Sequence, residues 1–238
     1  MKFWMTLAGL AVLIVGGFLV VMHRDIDQRL LTATRKNDVD LVKRLLLFGA
    51  DVEASDFDKK TPLIVATECG YREMVELLLE EGADLHARDF LGRQAIHAAV
   101  GRQHVDLIRY LFDHGARTDS STTYGKTLMH EAVLYGNREV IDLLFEYDVP
   151  VDGRDRHDRT PLHFAVESSI PTVIRRLVAG GAEVDPADAN GVTPLLEACR
   201  RNDLEIAELF LEAQCDINTT SHDGRTPLYW ATRHGNRP

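Results

Sequence analysis

Tryptophan and cysteine are scarce in this chain of 238 residues, with two and three respectively. Cys69, Cys199 and Cys215 are too few and too irregularly spaced for a disulfide framework or a zinc site, so they are expected to be small packing residues. A glycine-rich phosphate loop, a G-x-S-x-G elbow and a C-x-x-C pair are all missing. Nucleotide, acyl-transfer and thiol-redox chemistry therefore have no foothold; no enzyme, cofactor, metal or small-molecule substrate is expected. Basic charge is in deficit as well: 27 Lys and Arg against 37 Asp and Glu leave a net charge of -10. That argues against bulk attraction to nucleic acid or anionic lipid. The apolar fraction, 45%, is enough for a continuous core.

Long apolar runs are missing too, with one exception. From Phe3 to Met22 the chain reads FWMTLAGLAVLIVGGFLVVM, twenty residues without a charge. As a helix this run would span about 30 Å, the thickness of the hydrocarbon core of a bilayer. A cleaved signal peptide is the competing reading, because Lys2 supplies a short basic leader. Against cleavage, the run exceeds the usual h-region of about 7–15 residues and no A-x-A pattern follows it. Residues 1–24 are thus expected as a single-pass transmembrane signal anchor (or signal peptide), meeting the lipid bilayer through residues 3–22. Lys2 and the terminal amine barely outweigh Arg24, which leans the repeat region, 25–238, towards the non-cytoplasmic side.

What the chain does have is a repeat that returns every 33 residues without slipping. Thr61, Gln94, Thr127, Thr160, Thr193 and Thr226 align as anchors, and alanine follows five places later at 66, 99, 132, 165, 198 and 231. One period earlier, Gln28 and Ala33 open a degenerate further copy. A fixed period of this length marks a stacked solenoid, in which no unit buries its apolar face alone. Thr caps a helix and Pro fits its first turn, so a short helix is expected to start at Thr61-Pro62 and its equivalents. It should end at a left-handed residue: Asn37, Gly70, Gln103, Gly136, Ser169, Asn202 or Gly235. Gln103 and Ser169 depart from Gly and Asn there, and local distortion is expected. A second helix carries an apolar stripe such as Val75/Leu78/Leu79, Ile108/Leu111/Phe112 and Ile141/Leu144/Phe145. It should stop at Gly49, Gly82, Gly115 and Gly181, with Asp148 and Gln214 in that slot elsewhere.

The units read, for example, TPLIVATECGYREMVELLLEEGADL and TPLHFAVESSIPTVIRRLVAGGAEV. This closely resembles the ankyrin repeat, with its T-P-L-H-x-A opening, its later Leu-Leu pair and its closing G-A-D-V. The resemblance covers roughly residues 25–238. It implies an all-α ankyrin-repeat solenoid of about seven units, the last a half-unit, with projecting hairpin turns and, here, one transmembrane helix ahead of it.

Some clusters mimic chemistry. His97, His130 and His163 recur with the period, but stacked equivalents lie about 10 Å apart, too far to share one zinc whose ligands sit near 2 Å. The resemblance assigns them to hydrogen bonds that stabilise the unit. Asp152 to Asp155 and Asp185 to Asp188 fall on turns, where Asp serves as a turn or cap residue.

The resemblance further implies binding through hairpin tips and the exposed side of the first helices, which form one concave surface. The matching slots hold Phe57, Phe90, Leu91, Tyr124, Leu134 and Tyr135. They also hold Arg102, Lys126, Arg156, Arg159, Arg200 and Arg201, followed by Arg225 and Arg233. Across those slots thirteen basic residues stand against six acidic ones, the reverse of the whole chain. Segregated charge of this kind fits a steered encounter with another protein bearing an acidic surface. The expected function is a membrane-tethered protein-binding module for an acidic or extended partner; the alternative is a cleaved, secreted or periplasmic protective or inhibitory protein. The final half-unit, from Thr226, is expected to cap the array, with a docking edge as the other reading.

Overall fold

The computed structural model describes residues 26–235, and the chain falls into two compact units, Met1–Phe90 and Leu91–Pro238. The expected anchor, residues 3–22, lies outside the described residues. Among those described, no helix is long and apolar enough to cross a membrane, and there is no strand.

The first unit contains α1 (26–35), α2 (Val39–Leu47), α3 (Pro62–Cys69) and α4 (Arg72–Glu80). The second begins with α5 (Ala95–Arg102), α6 (Val105–Asp113), α7 (Leu128–Tyr135) and α8 (Arg138–Glu146). It continues with α9 (Pro161–Glu167), α10 (Pro171–Ala179), α11 (Pro194–Arg201), α12 (Leu204–Glu212) and the half-unit helix α13 (Pro227–Arg233). Within the second unit the first helices stack in order, α5 on α7, α7 on α9, α9 on α11 and α11 on α13. The second helices form a parallel row, with α6 on α8 and α10 on α12.

Each first helix starts as its capping residues dictate. The hydroxyls of Thr61, Thr193 and Thr226 accept the N–H of Ile64, Leu196 and Tyr229 at 3.5, 3.4 and 3.2 Å. Each ends in a left-handed residue, and in five of them the chain then turns back and donates to the carbonyl of the repeated alanine. Asp38, Tyr71, His104, Ile170 and Asp203 bond in this way to Ala33, Ala66, Ala99, Ala165 and Ala198. The methyls of these alanines are buried. A larger side chain would push neighbouring helices apart; alanine is the residue that fits both demands.

The expected distortion at Gln103 and Ser169 does not occur. Both adopt the same left-handed conformation as the glycines, with φ of 61° and 50°; α9, like α13, ends a residue early. Their side chains explain their presence. Gln103 Oε1 accepts from Asn137 Nδ2 at 2.9 Å, and Ser169 Oγ donates to Asp203 Oδ2 at 3.0 Å. Each departure thus bonds to the residue that caps the next repeat's second helix. Asp148 and Gln214 are left-handed as well (φ 52° and 60°) but exposed.

The second-helix stripe is buried as expected at Val75, Leu78, Ile108, Leu111, Phe112, Ile141 and Leu144, but it is wider. Leu79 and Phe145 are half-buried, while Met74, Leu107 and Val140 complete the buried face one position earlier. Cys69 is exposed rather than packed; Cys199 is half-buried and Cys215 buried.

The histidines act as the resemblance implies. The anchor N–H of Gln94, Thr127 and Thr160 donates to Nδ1 of His97, His130 and His163 at 3.2, 3.1 and 3.1 Å. On the far side, Nε2 of His130 and His163 reaches the carbonyls of Arg159 and Val192 in the following repeat, both at 3.0 Å. A carbonyl only accepts and a backbone N–H only donates, so both rings are neutral with the proton on Nε2. Burial pushes the His130 pKa down to about 4 and lowers that of His163 as well. Around His130, Asp155 favours the charged ring while Lys126 and Arg159 oppose it.

Two predictions follow from these contacts. Replacing Asp148 or Gln214 by glycine should stabilise the protein by about 0.5–1 kcal/mol each, since left-handed strain disappears and no side-chain bond is lost. Gln103→Gly should show no such gain in urea unfolding, because it also deletes the bond to Asn137. The second concerns pH. Unfolded His130 takes up its proton near pH 6.5 and the folded ring only near 4. Its contribution is therefore complete above about pH 6.5 and is lost as pH falls towards 4, by up to about 3 kcal/mol. His130→Gln should be less stable at neutral pH yet show a flatter decline across that window; an unchanged slope refutes the assignment.

Candidate interaction face

The face is built from turns that an aspartate folds. Asp155 Oδ1 accepts the N–H groups of His157 and Arg159 at 2.8 and 3.0 Å, and the Asp155 N–H donates to the Arg159 carbonyl at 2.9 Å. Asp188 does the same for Asn190 and Val192, both at 2.8 Å, and Asp56 for Asp58 and Lys60, both at 3.0 Å. The turn tips are then joined to one another by backbone bonds. In the first unit Phe90 N–H donates to the Asp58 carbonyl at 2.7 Å. In the second, Thr123 donates to Leu91, Arg156 to Tyr124, Ala189 to His157 and His222 to Asn190, between 2.9 and 3.0 Å. This leaves little space: a Cβ on Gly125 (φ 74°) would come within 3.1 Å of the Arg156 nitrogen. The tip side chains project from a hydrogen-bonded row rather than from loose loops.

In the first unit, Phe57 and Phe90 are both exposed at tips. Lys60 is paired with Glu68 at 2.7 Å, and Arg35 with Asp56.

In the second unit Leu91, Tyr124, Leu134 and Tyr135 are exposed, as are Arg102, Arg156, Arg200 and Arg201. Tyr124 and Arg156 are brought together, with the guanidinium 4.4 Å above the ring. Arg156 also reaches His157 Nε2 at 3.1 Å. Lys126 and Arg159 are half-buried, lying 5.1 and 4.3 Å from the Phe164 ring centre. Arg159 additionally holds Asp155 with two nitrogens (3.1 and 2.9 Å) and Glu167 with a third (3.0 Å). Burial pushes the Asp155 carboxyl up, but the N–H groups and guanidinium of Arg159, with the His157 N–H, hold it below the usual carboxylate range. Arg200 grips both oxygens of Glu197 at 2.8 and 2.7 Å, and Arg201 lies 4.0 Å from the same carboxylate. Arg225 pairs with Asp223 at 3.1 Å. Between the turns at 157–159 and 188–192, an open groove of about 390 Å³ is lined by Arg159, Glu167, Glu197 and Arg200.

Counting slots therefore overstates the positive field. Asp56, Asp155 and Glu197 stand just outside the counted slots and neutralise residues inside them. For Asp155 and Glu197 a signal was present as i, i+3 and i, i+4 spacing to Arg159, Arg200 and Arg201, whereas Asp56 pairs with Arg35, 21 residues away.

The half-unit helix α13 is tied down. His234 Nε2 donates to the Arg200 carbonyl at 3.1 Å, and Arg225 and Arg233 lie 5.2 and 5.8 Å from the Trp230 ring. Leu228 on α13, and Leu204 and Leu211 on α12, nevertheless remain exposed. Arg237 lies outside the described residues.

Among the described residues no group of three His, Cys, Asp or Glu is placed to hold a metal ion. Burial, with Asp185 nearby, pushes the Cys215 thiol up to about 11, so it stays protonated.

Comparison with known proteins agrees with the geometry. A family model described as ankyrin repeats (3 copies) matches residues 18–89, 89–155, 118–188 and 162–238. A search of curated proteins finds no match. Among solved structures, the ankyrin repeat domain of Bcl-3, described as a unique member of the IkappaB protein family, superposes with a TM-score of 0.76. It is 26% identical, and the match covers 84% of this chain and 92% of that one. The chain belongs to the ankyrin-repeat family, whose repeats serve as a protein–protein interaction module.

Proposed function

We propose that this protein is a membrane-tethered binding module that holds an extended, acidic segment of another protein along its turn tips and first helices. The observation that carries this reading is the exposed group Leu91, Tyr124, Leu134 and Tyr135 in the second unit. Aromatic residues and arginine on a rigid support are the types that dominate binding energy at protein interfaces. The backbone bonds between tips supply that rigidity, which lowers the ordering cost of association.

The charges refine the partner. Arg159 and Arg200 are committed to Asp155, Glu167 and Glu197, so they act mainly as part of the groove wall. Arg156 is exposed, stacks on Tyr124 and has no carboxylate partner among the described residues. An acidic side chain reaching Arg156 would lie against an aromatic ring and gain both contact area and a charge-assisted bond. Arg102 and Arg201 extend basic character along the first helices. Tethering is supported by the uncharged run at residues 3–22, and Lys2 with the terminal amine against Arg24 supports a repeat region on the non-cytoplasmic side.

Two outcomes test this reading. In cross-linked membranes from its native cells, wild-type protein should retain a partner that Tyr124→Ala combined with Arg156→Glu loses by at least about tenfold. Arg138→Glu, on the opposite row of helices, should retain it, since exposed substitutions change stability by no more than about 0.5 kcal/mol. Equal retention by all three proteins rules out this face. Separately, the full-length chain should stay in carbonate-washed membranes, and its mature mass should include residues 3–22. A mature chain lacking them supports the secreted or periplasmic alternative.

A further inference from the structure

Two adjacent side chains at the end of α2 do not match their place in the repeat. Leu47 and Phe48 are 86% and 78% exposed. The 33-residue register puts acid at the first of these positions in four of five later repeats, as Glu80, Asp113, Glu146 and Glu212. Only the opening repeat offers water two large apolar groups there.

Charge and geometry around them point to what covers the pair. Lys43 and Arg44 precede them by one helical turn and are both exposed. The same surface strip of α2 therefore reads basic and then apolar, the order found where a helix meets lipid headgroups and then acyl chain. The N–H of Asp51, three residues past Phe48, donates to Asp27 Oδ1 at 2.9 Å. The start of α1 is thus held beside the apolar tip. The uncharged run ends at Met22, and five residues of chain span at most about 18 Å. The run must therefore end within that distance of Asp27, at the end of the repeat that carries Leu47 and Phe48. In the same unit, α4 closes with Glu80 and Glu81, which favour water and limit the apolar contact to the first repeat.

We propose that Leu47 and Phe48 form a lipid-facing tip, seated in the interfacial layer of the same bilayer leaflet that residues 3–22 leave. This rests on the tethering reading above. Two contacts, the anchor and the tip, would fix the angle of the first unit to the membrane, which a single point of attachment does not define.

The test uses the full-length chain in phosphatidylcholine vesicles. With Cys69→Ser, Cys199→Ala and Cys215→Ala in place, an environment-sensitive fluorophore is attached through Phe48→Cys or, as a control, Glu146→Cys. Lipids brominated high in the acyl chain should quench the probe at position 48 at least about threefold more than at 146. In unlabelled wild-type protein, hydrogen exchange of residues 44–51 should be slower in vesicles than in Leu47→Glu/Phe48→Glu. Equal quenching at both positions, in membranes that carbonate does not strip, overturns the tip and leaves the tether standing. A blue-shifted probe that bromolipid does not quench means that protein covers the tip, which also overturns it. Release of the chain by carbonate removes the tether and the tip together.

Discussion

The left-handed turn after each first helix is the constraint on which the remaining structure depends. In five repeats it reverses the chain so that the next N–H reaches the carbonyl of the repeated alanine, and that bond holds the paired helices at one angle. With the angle fixed, the alanine methyl becomes the closest point of approach between stacked repeats, and it is buried in every complete repeat. The histidine bridges then tie consecutive repeats through their backbones. None of these contacts is strong alone. Repeated with one register, they produce a surface whose features return at regular intervals, which suits an extended ligand better than a compact one.

The fold was largely legible because the signals were local. A threonine cap, a proline in the first turn and a glycine or asparagine stop each act over a few residues, and the 33-residue period repeats them. The misreadings came from contacts that join one repeat to the next. Gln103 and Ser169 look like faults in a glycine slot; their reasons lie 34 residues away, in Asn137 and Asp203. Likewise Leu79 and Phe145 match an i, i+3, i+4 stripe, yet the buried face begins one residue earlier at Met74 and Val140.

The candidate face was legible in its positions and less so in its electrostatics. Leu91, Tyr124, Leu134, Tyr135 and Arg156 are exposed where the repeat register puts them. Their charge environment was not, because a turn aspartate such as Asp155 is a structural residue in sequence and an ion-pair partner in space. It caps its own turn with one oxygen and holds Arg159 with the other. Glu197 similarly occupies a helical position facing the groove, where Arg200 closes over it.

That double use of carboxylates changes what the face can recognise. A row of unpaired arginines would attract any acidic chain and release it with rising salt. Pairing most of them inside the protein removes the indiscriminate part of the field and stiffens the groove wall. Under the proposed reading, what remains for discrimination is spacing: Tyr124, Leu134 and Tyr135 on one repeat and the stacked guanidinium of Arg156 on the next. On the same reading, a partner would match distances set by the stack as well as carry negative charge. Because those distances come from the alanine closures and histidine bridges, specificity at the surface is a consequence of the same short contacts that hold the repeats in register.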